Sequence, residues 1–286
     1  MSMRASPVIR PSAIAGSWYP GSPAELRRTI EGYLGQVKAV ALPGQPVALI
    51  TPHAGYAYSG LTAAHAYAQV RGRDVRRVVL LGPLHRPIWG SRMGAFMVPA
   101  EDAYRTPLGD VPLDHAYIAE LGRQVNLTHV RGDEEHSLEI QLPFLQVVLG
   151  SFSLVPIMLG EQITDPSVPA HLDALATGLA QLADEGTLFI ASTDLSHLYN
   201  YTDVVRIDSR LTELVGAFDV DGLVAAFQAG QVQACGATGL VAVLRVAQKL
   251  GARGVQVLKY AASGDVTGDK RPGTYCVGYL AAAAYK

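Results

Sequence analysis

Three apolar runs that each close on a histidine constrain this chain more than any other feature. They are VALITPH (47–53), VVLLGPLH (78–85) and TLFIASTDLSH (187–197). Continuous apolar stretches of this length, bounded by Gly, Pro, Ser or Asp, read as parallel strands covered on both faces. In an open α/β sheet the chemistry sits in the crevice beyond the carboxyl ends of such strands. The runs are therefore expected to deliver His53, His85 and His197 to one small volume. Converging imidazoles, with a carboxylate and a thiol nearby, are metal-site chemistry.

The rest of the chain supplies helices between these strands. Helices are predicted over 23–37 (Ser22 as N-cap), 59–70 (Ser59 as cap), 114–125, 135–149, 168–184, 203–217, 219–229 and 237–250. Further strands are predicted at 94–99, 153–159, 255–263 and 275–284, the last two as strands that could pair as a hairpin. The turn-rich 101–114 reads as a surface excursion. No linker, repeat or low-complexity tract interrupts 1–286, so the expectation is one layered α/β domain with a mainly parallel or mixed sheet between helices.

Composition excludes several function classes. A net charge of −2 without blocks of like charge argues against nucleic acid or an anionic membrane as partner. RDVRRV (73–78), the densest basic patch, reads as the cap of a helix-to-strand turn. Two cysteines make no disulfide framework. Neither a signal-peptide core nor an apolar run of membrane-helix length occurs. The expectation is a soluble protein of the reducing cytoplasm. Without a P-loop, G-x-G-x-x-G, H-E-x-x-H or C-x-x-C motif, nucleotide, zincin and thioredoxin chemistries have no footing.

Among the candidate residues, His53 lies in TPHAGYAYSG, where Pro52 and Gly55 shape the turn and Tyr56 and Tyr58 offer phenols to a bound oxygen. His85 follows a Gly-Pro turn in LLGPLHRP. In DEEHSLEIQLPF (133–144), Asp133 and Glu134 suit a helix start. His136 and Glu139, three apart, share a face there; His136 reads equally as a pocket residue or as plain structure. In STDLSH (192–197), Asp194 is placed to orient His197, which would then ligate metal or act as general base. Cys235, before a helix start in QACGATGL, is expected to have a lowered thiol pKa, whereas Cys276 reads as packing. His65, His115, His129 and His171 read as structural or solvated.

Taken in order, AGSWYP (15–20), PHAGYAYSG (52–60), LGPLHR (81–86), YRTPLGD (104–110), DEEHSLEIQLPF, STDLSH and CG (235–236) resemble the Memo family, protein B of the AmmeMemoRadiSam system, from about Gly16 onward. The resemblance implies the fold of class III extradiol ring-cleaving dioxygenases, with a metal pocket at one sheet edge. It further implies His53, His85 and Cys235 as the metal-binding trio, with Asp194 and His197 lining the pocket and His197 as the acid/base. Iron(II), copper as its alternative, and partner proteins of the radical-SAM and AMMECR types follow from the same resemblance. The ring-cleaving enzymes use two histidines and a glutamate; a thiolate at the third position is softer and oxidisable, so catechol cleavage does not carry over directly.

The leading expectation is thus a metal-dependent oxidoreductase. The alternatives are a non-catalytic protein that reuses the pocket for a small-molecule or peptide ligand or a partner, and a zinc-dependent hydrolase.

Overall fold

The three runs lie side by side in the middle of a mixed nine-stranded sheet, their residues almost wholly removed from water. The structure is a computed structural model and describes residues 6–38, 40–88 and 94–286. Its first half contains β1 (Ile9–Arg10), α1 (Pro23–Gln36), β2 (Pro46–Thr51), α2 (Tyr56–Tyr67), β3 (Arg77–Pro83), β4 (Phe96–Pro99), β5 (Ala103–Thr106), β6 (Gly109–Pro112), α3 (His115–Leu121), β7 (Leu127–Val130), α4 (His136–Glu139) and α5 (Leu142–Leu149). The second half runs β8 (Ser153–Leu159), α6 (Val168–Leu182), β9 (Thr187–Ser192), β10 (Asp194–Leu198), α7 (Tyr201–Gly216), α8 (Val220–Gln228), α9 (Ala237–Lys249), β11 (Gly254–Ala262), α10 (Ser263–Thr267) and β12 (Cys276–Tyr285).

The main sheet has the order β10-β12-β2-β9-β3-β8-β4-β7, and β11 pairs with β12 as the expected antiparallel hairpin. Its centre, β2-β9-β3-β8, is parallel. The crossover from β2 through α2 to β3 runs one way along the sheet, and that from β8 through α6 to β9 runs the other. Right-handed crossovers then put α2 and α6 on opposite faces. The helix α9 lies beside α6 and against β9, β3 and β2, which explains why its residues Ala237–Leu244 are all buried.

The carboxyl ends of β2, β9 and β3 thus open on the same edge. There the chain leaves β9, crosses the end of β2 with Thr193 N–H on Thr51 O at 2.8 Å, and continues as β10 against β12. That crossover brings Asp194 beside His53. A strand at 194–198 was not anticipated; it is an edge strand, and its neighbour β12 starts only at Cys276.

Other expectations are corrected. The segment 101–114 is not a surface excursion: β5 and β6 form a small sheet with β1, and Tyr104 is fully buried. The helix predicted over 135–149 is two, because Pro143 starts a new helix and the Gln141 side chain is drawn inward. Gln141 accepts from Tyr67 Oη at 2.6 Å and donates to Pro52 O and Ser192 Oγ at 2.9 and 2.7 Å. Helix α2 starts at Tyr56 after Gly55, and Ser59 lies inside its first turn, donating to Ala54 O, rather than capping it. Ser22 precedes α1 but makes no capping bond. The helix expected over 114–125 ends at Leu121. No helix among the described residues is long and apolar enough to cross a membrane.

Candidate metal centre

Two glycines let the site close. A Cβ on Gly82 of β3 would lie 2.7 Å from Ser137 Oγ and 2.8 Å from Leu138 Cδ2, so its absence lets α4 sit directly on the strand that leads to His85. A Cβ on Gly236 would lie 2.5 Å from Ser192 O, so glycine there lets the Cys235 turn press on the end of β9.

The result is a cluster of imidazoles. His85 and His136 stack with ring centroids 4.4 Å apart, and His53 stands edge-on to both at 5.1 and 5.5 Å. Among the described residues, the group of three potential ligands whose donor atoms all lie within 4.8 Å of one another is His53, His85 and His136. Cys235 Sγ adjoins this group, 3.0 Å from His53 Nε2. His136 thereby belongs to the site rather than to plain structure, with Trp18 against its other side at 4.3 Å.

Hydrogen bonding decides which nitrogens are free. Ser192 Oγ donates its single proton to Ser137 O at 2.6 Å, so toward His53 Nδ1, 3.2 Å away, it can only accept. His53 therefore carries its proton on Nδ1 and presents a bare Nε2 toward Cys235. His197 Nδ1 lies 2.9 Å from Leu195 O, which also only accepts, so its Nε2 is bare as well. Burial lowers the pKa values of His53 and His197 and takes His136 to about 4. Neutral imidazoles at neutral pH are the ligating form. The donor set, three imidazoles and an adjoining thiol, fits a first-row transition metal.

Five expectations at the site change. Asp194 does not orient His197. Its Oδ1 accepts the backbone N–H groups of His53 and Ala54 at 2.7 and 3.3 Å, holding the β2 turn; burial pushes the carboxyl up to about 7 against those two bonds. Cys235 is not an activated thiol: burial, together with Asp194, pushes its pKa up, outweighing its position before α9. Glu139 does not join the cluster and binds Arg10, Ser12 and Tyr19. Tyr56 is buried and donates to Ile140 O at 2.9 Å, so of the two phenols only Tyr58 lines the cavity. Asp133 likewise pairs with Arg10 rather than serving a helix start.

The imidazoles open into a cavity of about 720 Å³ that is also lined by Trp18, Tyr58, Asp194, His197, Tyr275 and Tyr279. A second cavity of about 400 Å³, walled by Pro83, Leu159, Phe227 and Val232, reaches His85 and Cys235. His115 and His171 pair with Asp102 and Glu161; neither they nor His65 and His129 join the cluster.

One residue that sequence reasoning missed is Glu135. Its Oε1 lies 2.9 Å from His85 Nδ1 and 3.3 Å from His136 Nδ1. Burial would raise this carboxyl, but the hydrogen bonds it takes from His85 act against burial and lower it. The available signal was the E-H pair itself, since ligating histidines usually pass their second N–H to a carboxylate.

Comparison with known proteins agrees with this architecture. The family model described as Memo-like protein matches residues 10–283. A MEMO1 family protein of Thermoplasma volcanium is 35% identical over 269 residues, covering 92% of this chain and 94% of that protein. Relatives of the same description in Aeropyrum pernix and Thermotoga maritima are 36% and 34% identical, each over 96% of this chain and 98% and 99% of theirs.

Proposed function

Because this chain belongs to the Memo family, we propose that it binds one first-row transition metal at the carboxyl ends of β2 and β3 and acts as a metal-dependent oxidoreductase. The observation that carries the reading is the set of donor atoms of His53, His85 and His136 within 4.8 Å of one another, with Cys235 Sγ touching His53. Such a cluster of lone pairs, short of protons to share, gains more from a cation than from water. The proposed ligands are His53 and His85, with Cys235 as the third and His136 beside them. Iron(II) is the proposed metal, with copper and zinc as the alternatives that the donor set admits; bound there, it would supply Lewis acidity and, for iron or copper, redox capacity.

The protein's own contribution starts with His197. Its Nδ1 is committed to Leu195 O, so Nε2 is the atom that takes a proton from a substrate in the larger cavity. Asp194 keeps the His53 turn in place. The aromatic walls, Trp18, Tyr58 and Tyr275, exclude water around a small-molecule substrate. The test is direct. Protein purified anaerobically under reducing conditions is expected to take up about one equivalent of Fe(II) or Cu(I). His53→Ala should lose it; undiminished uptake in that variant overturns the reading. Comparing Cys235→Ser with His136→Ala identifies the third ligand, and metal analysis of the anaerobic protein separates zinc from iron or copper.

A second reading rests on the mouth of the same cavity, where Trp18, Tyr58 and Tyr275 are partly exposed and Tyr199 packs on Tyr275 at 5.2 Å. Exposed Trp and Tyr are typical anchors of binding surfaces. Pocket substitutions that alter capture of a peptide or protein ligand, with no turnover in the metal-loaded protein, would favour a binding role.

A further inference from the structure

We propose that Glu135 is the positioning residue of the site, fixing His85 with the proton on Nδ1 and leaving its Nε2 as the nitrogen open to a ligand, with His136 against the same carboxylate. Both carboxylate oxygens already serve backbone donors: Oε2 accepts His85 N–H at 2.6 Å and Oε1 accepts Ser137 N–H at 2.8 Å. Two backbone N–H bonds favour the ionised carboxylate, which can only accept. His85 Nδ1, 2.9 Å from Oε1, must then be the donor. His136 Nδ1 lies 3.3 Å from the same oxygen, and the two rings are within 26° of parallel. One carboxylate thus holds His85 and borders the ring stacked on it.

The backbone behind Glu135 is itself held. Its carbonyl accepts Arg10 Nη2 at 2.9 Å, and its N–H donates to Asp133 Oδ1 at 3.2 Å. The side chain is almost wholly buried, so water cannot substitute for it. Among the site imidazoles His53 and His197 are oriented by neutral oxygens, Ser192 Oγ and Leu195 O. His85 instead donates to a carboxylate, which strengthens its Nε2 as a metal ligand.

This inference rests on the metal reading only for its effect on affinity. The tautomers are read from the metal-free full chain by long-range proton–nitrogen correlation on histidine-labelled protein. Wild-type His85 is expected as the Nδ1–H form. In Glu135→Gln an amide NH₂ must face one of the two backbone donors, so the grip is lost and the Nε2–H form of His85 should appear. Cobalt(II) titration of the same two proteins should show affinity weakened about 10- to 100-fold in the variant. Glu135→Asp, which keeps the charge, should restore part of it. A wild-type spectrum with the His85 proton on Nε2 overturns the proposal without any variant. Unchanged tautomers and unchanged cobalt affinity in Glu135→Gln overturn it while leaving the metal reading intact. If neither protein binds cobalt but the tautomers shift as stated, the positioning role holds and the metal reading fails.

Discussion

Two buried polar clusters meet in the segment 133–139, and they are built in opposite ways. Asp133 and Glu139 turn to Arg10, which reaches them at 2.9 and 2.5 Å from a fully buried position. Around this pair Tyr19 and Ser12 donate to Glu139 Oε1, Ala13 N–H to Oε2, and Tyr104 to Asp133 Oδ2. The guanidinium also lies over the Tyr104 ring at 4.5 Å. In this cluster donors meet acceptors and charge meets charge. Glu135 and His136 turn the other way, into a cluster where bare imidazole nitrogens converge and only Cys235 stands by with a thiol proton. A buried network whose members are all satisfied is architecture. One whose lone pairs converge without donors calls for a cation.

The sharpest way to break this contrast is to remove the cation from the closed cluster. Arg10→Met leaves two buried carboxylates without their partner, and the expected loss is about 3–5 kcal/mol of stability in urea unfolding. A variant as stable as the parent would show that the Arg10 network is no more closed than the imidazole site.

A third buried carboxyl sharpens the comparison from between the two. Asp208 accepts from Ser196 N–H, Ser196 Oγ and Tyr260 Oη but pairs with no cation among the described residues. Burial pushes it up to about 6, above the ordinary 3.8, against those bonds. The folded state therefore holds this proton more tightly than the unfolded one. Its contribution to stability is fully present below about pH 4 and is lost as pH rises to about 6. Asp208→Asn should remove that loss, gaining about 1–3 kcal/mol relative to the parent between pH 4 and pH 8. Urea midpoints that stay parallel across this range would sink the assignment.

The smallest effect is expected from Tyr19→Phe. It deletes one of several donors to Glu139 Oε1 and should cost about 1 kcal/mol, with metal uptake unaltered. A matching loss of metal affinity would show the two clusters to be energetically one.

Much of the fold was legible because a doubly covered parallel strand has a local signature. The runs that became β2, β3, β8 and β9 are apolar on both faces, and His53 and His85 follow from where two of them stop. Legibility failed wherever a residue's role depended on a distant partner. Arg10 and Glu139 are 129 residues apart, so nothing near Glu139 marked it as structural, and its spacing from His136 suggested a shared pocket. Tyr56 looked like a phenol for the site because its acceptor, Ile140 O, lies 84 residues on. The Cys235 thiol was misjudged for the same reason: a helix start is visible in sequence, but the desolvation that outweighs it is not.

By itself, then, the order of residues determined the doubly covered strands of the core and which end of the sheet carries imidazoles, since periodicity and turn chemistry are properties of neighbouring residues. Only the tertiary structure decided which nitrogen of each ring is bare, that Glu135 stands behind two of the rings, and that Asp194 holds a turn and not His197. Those outcomes depend on hydrogen-bond partners brought together from far along the chain, and a donor acquires its role only when its acceptor arrives.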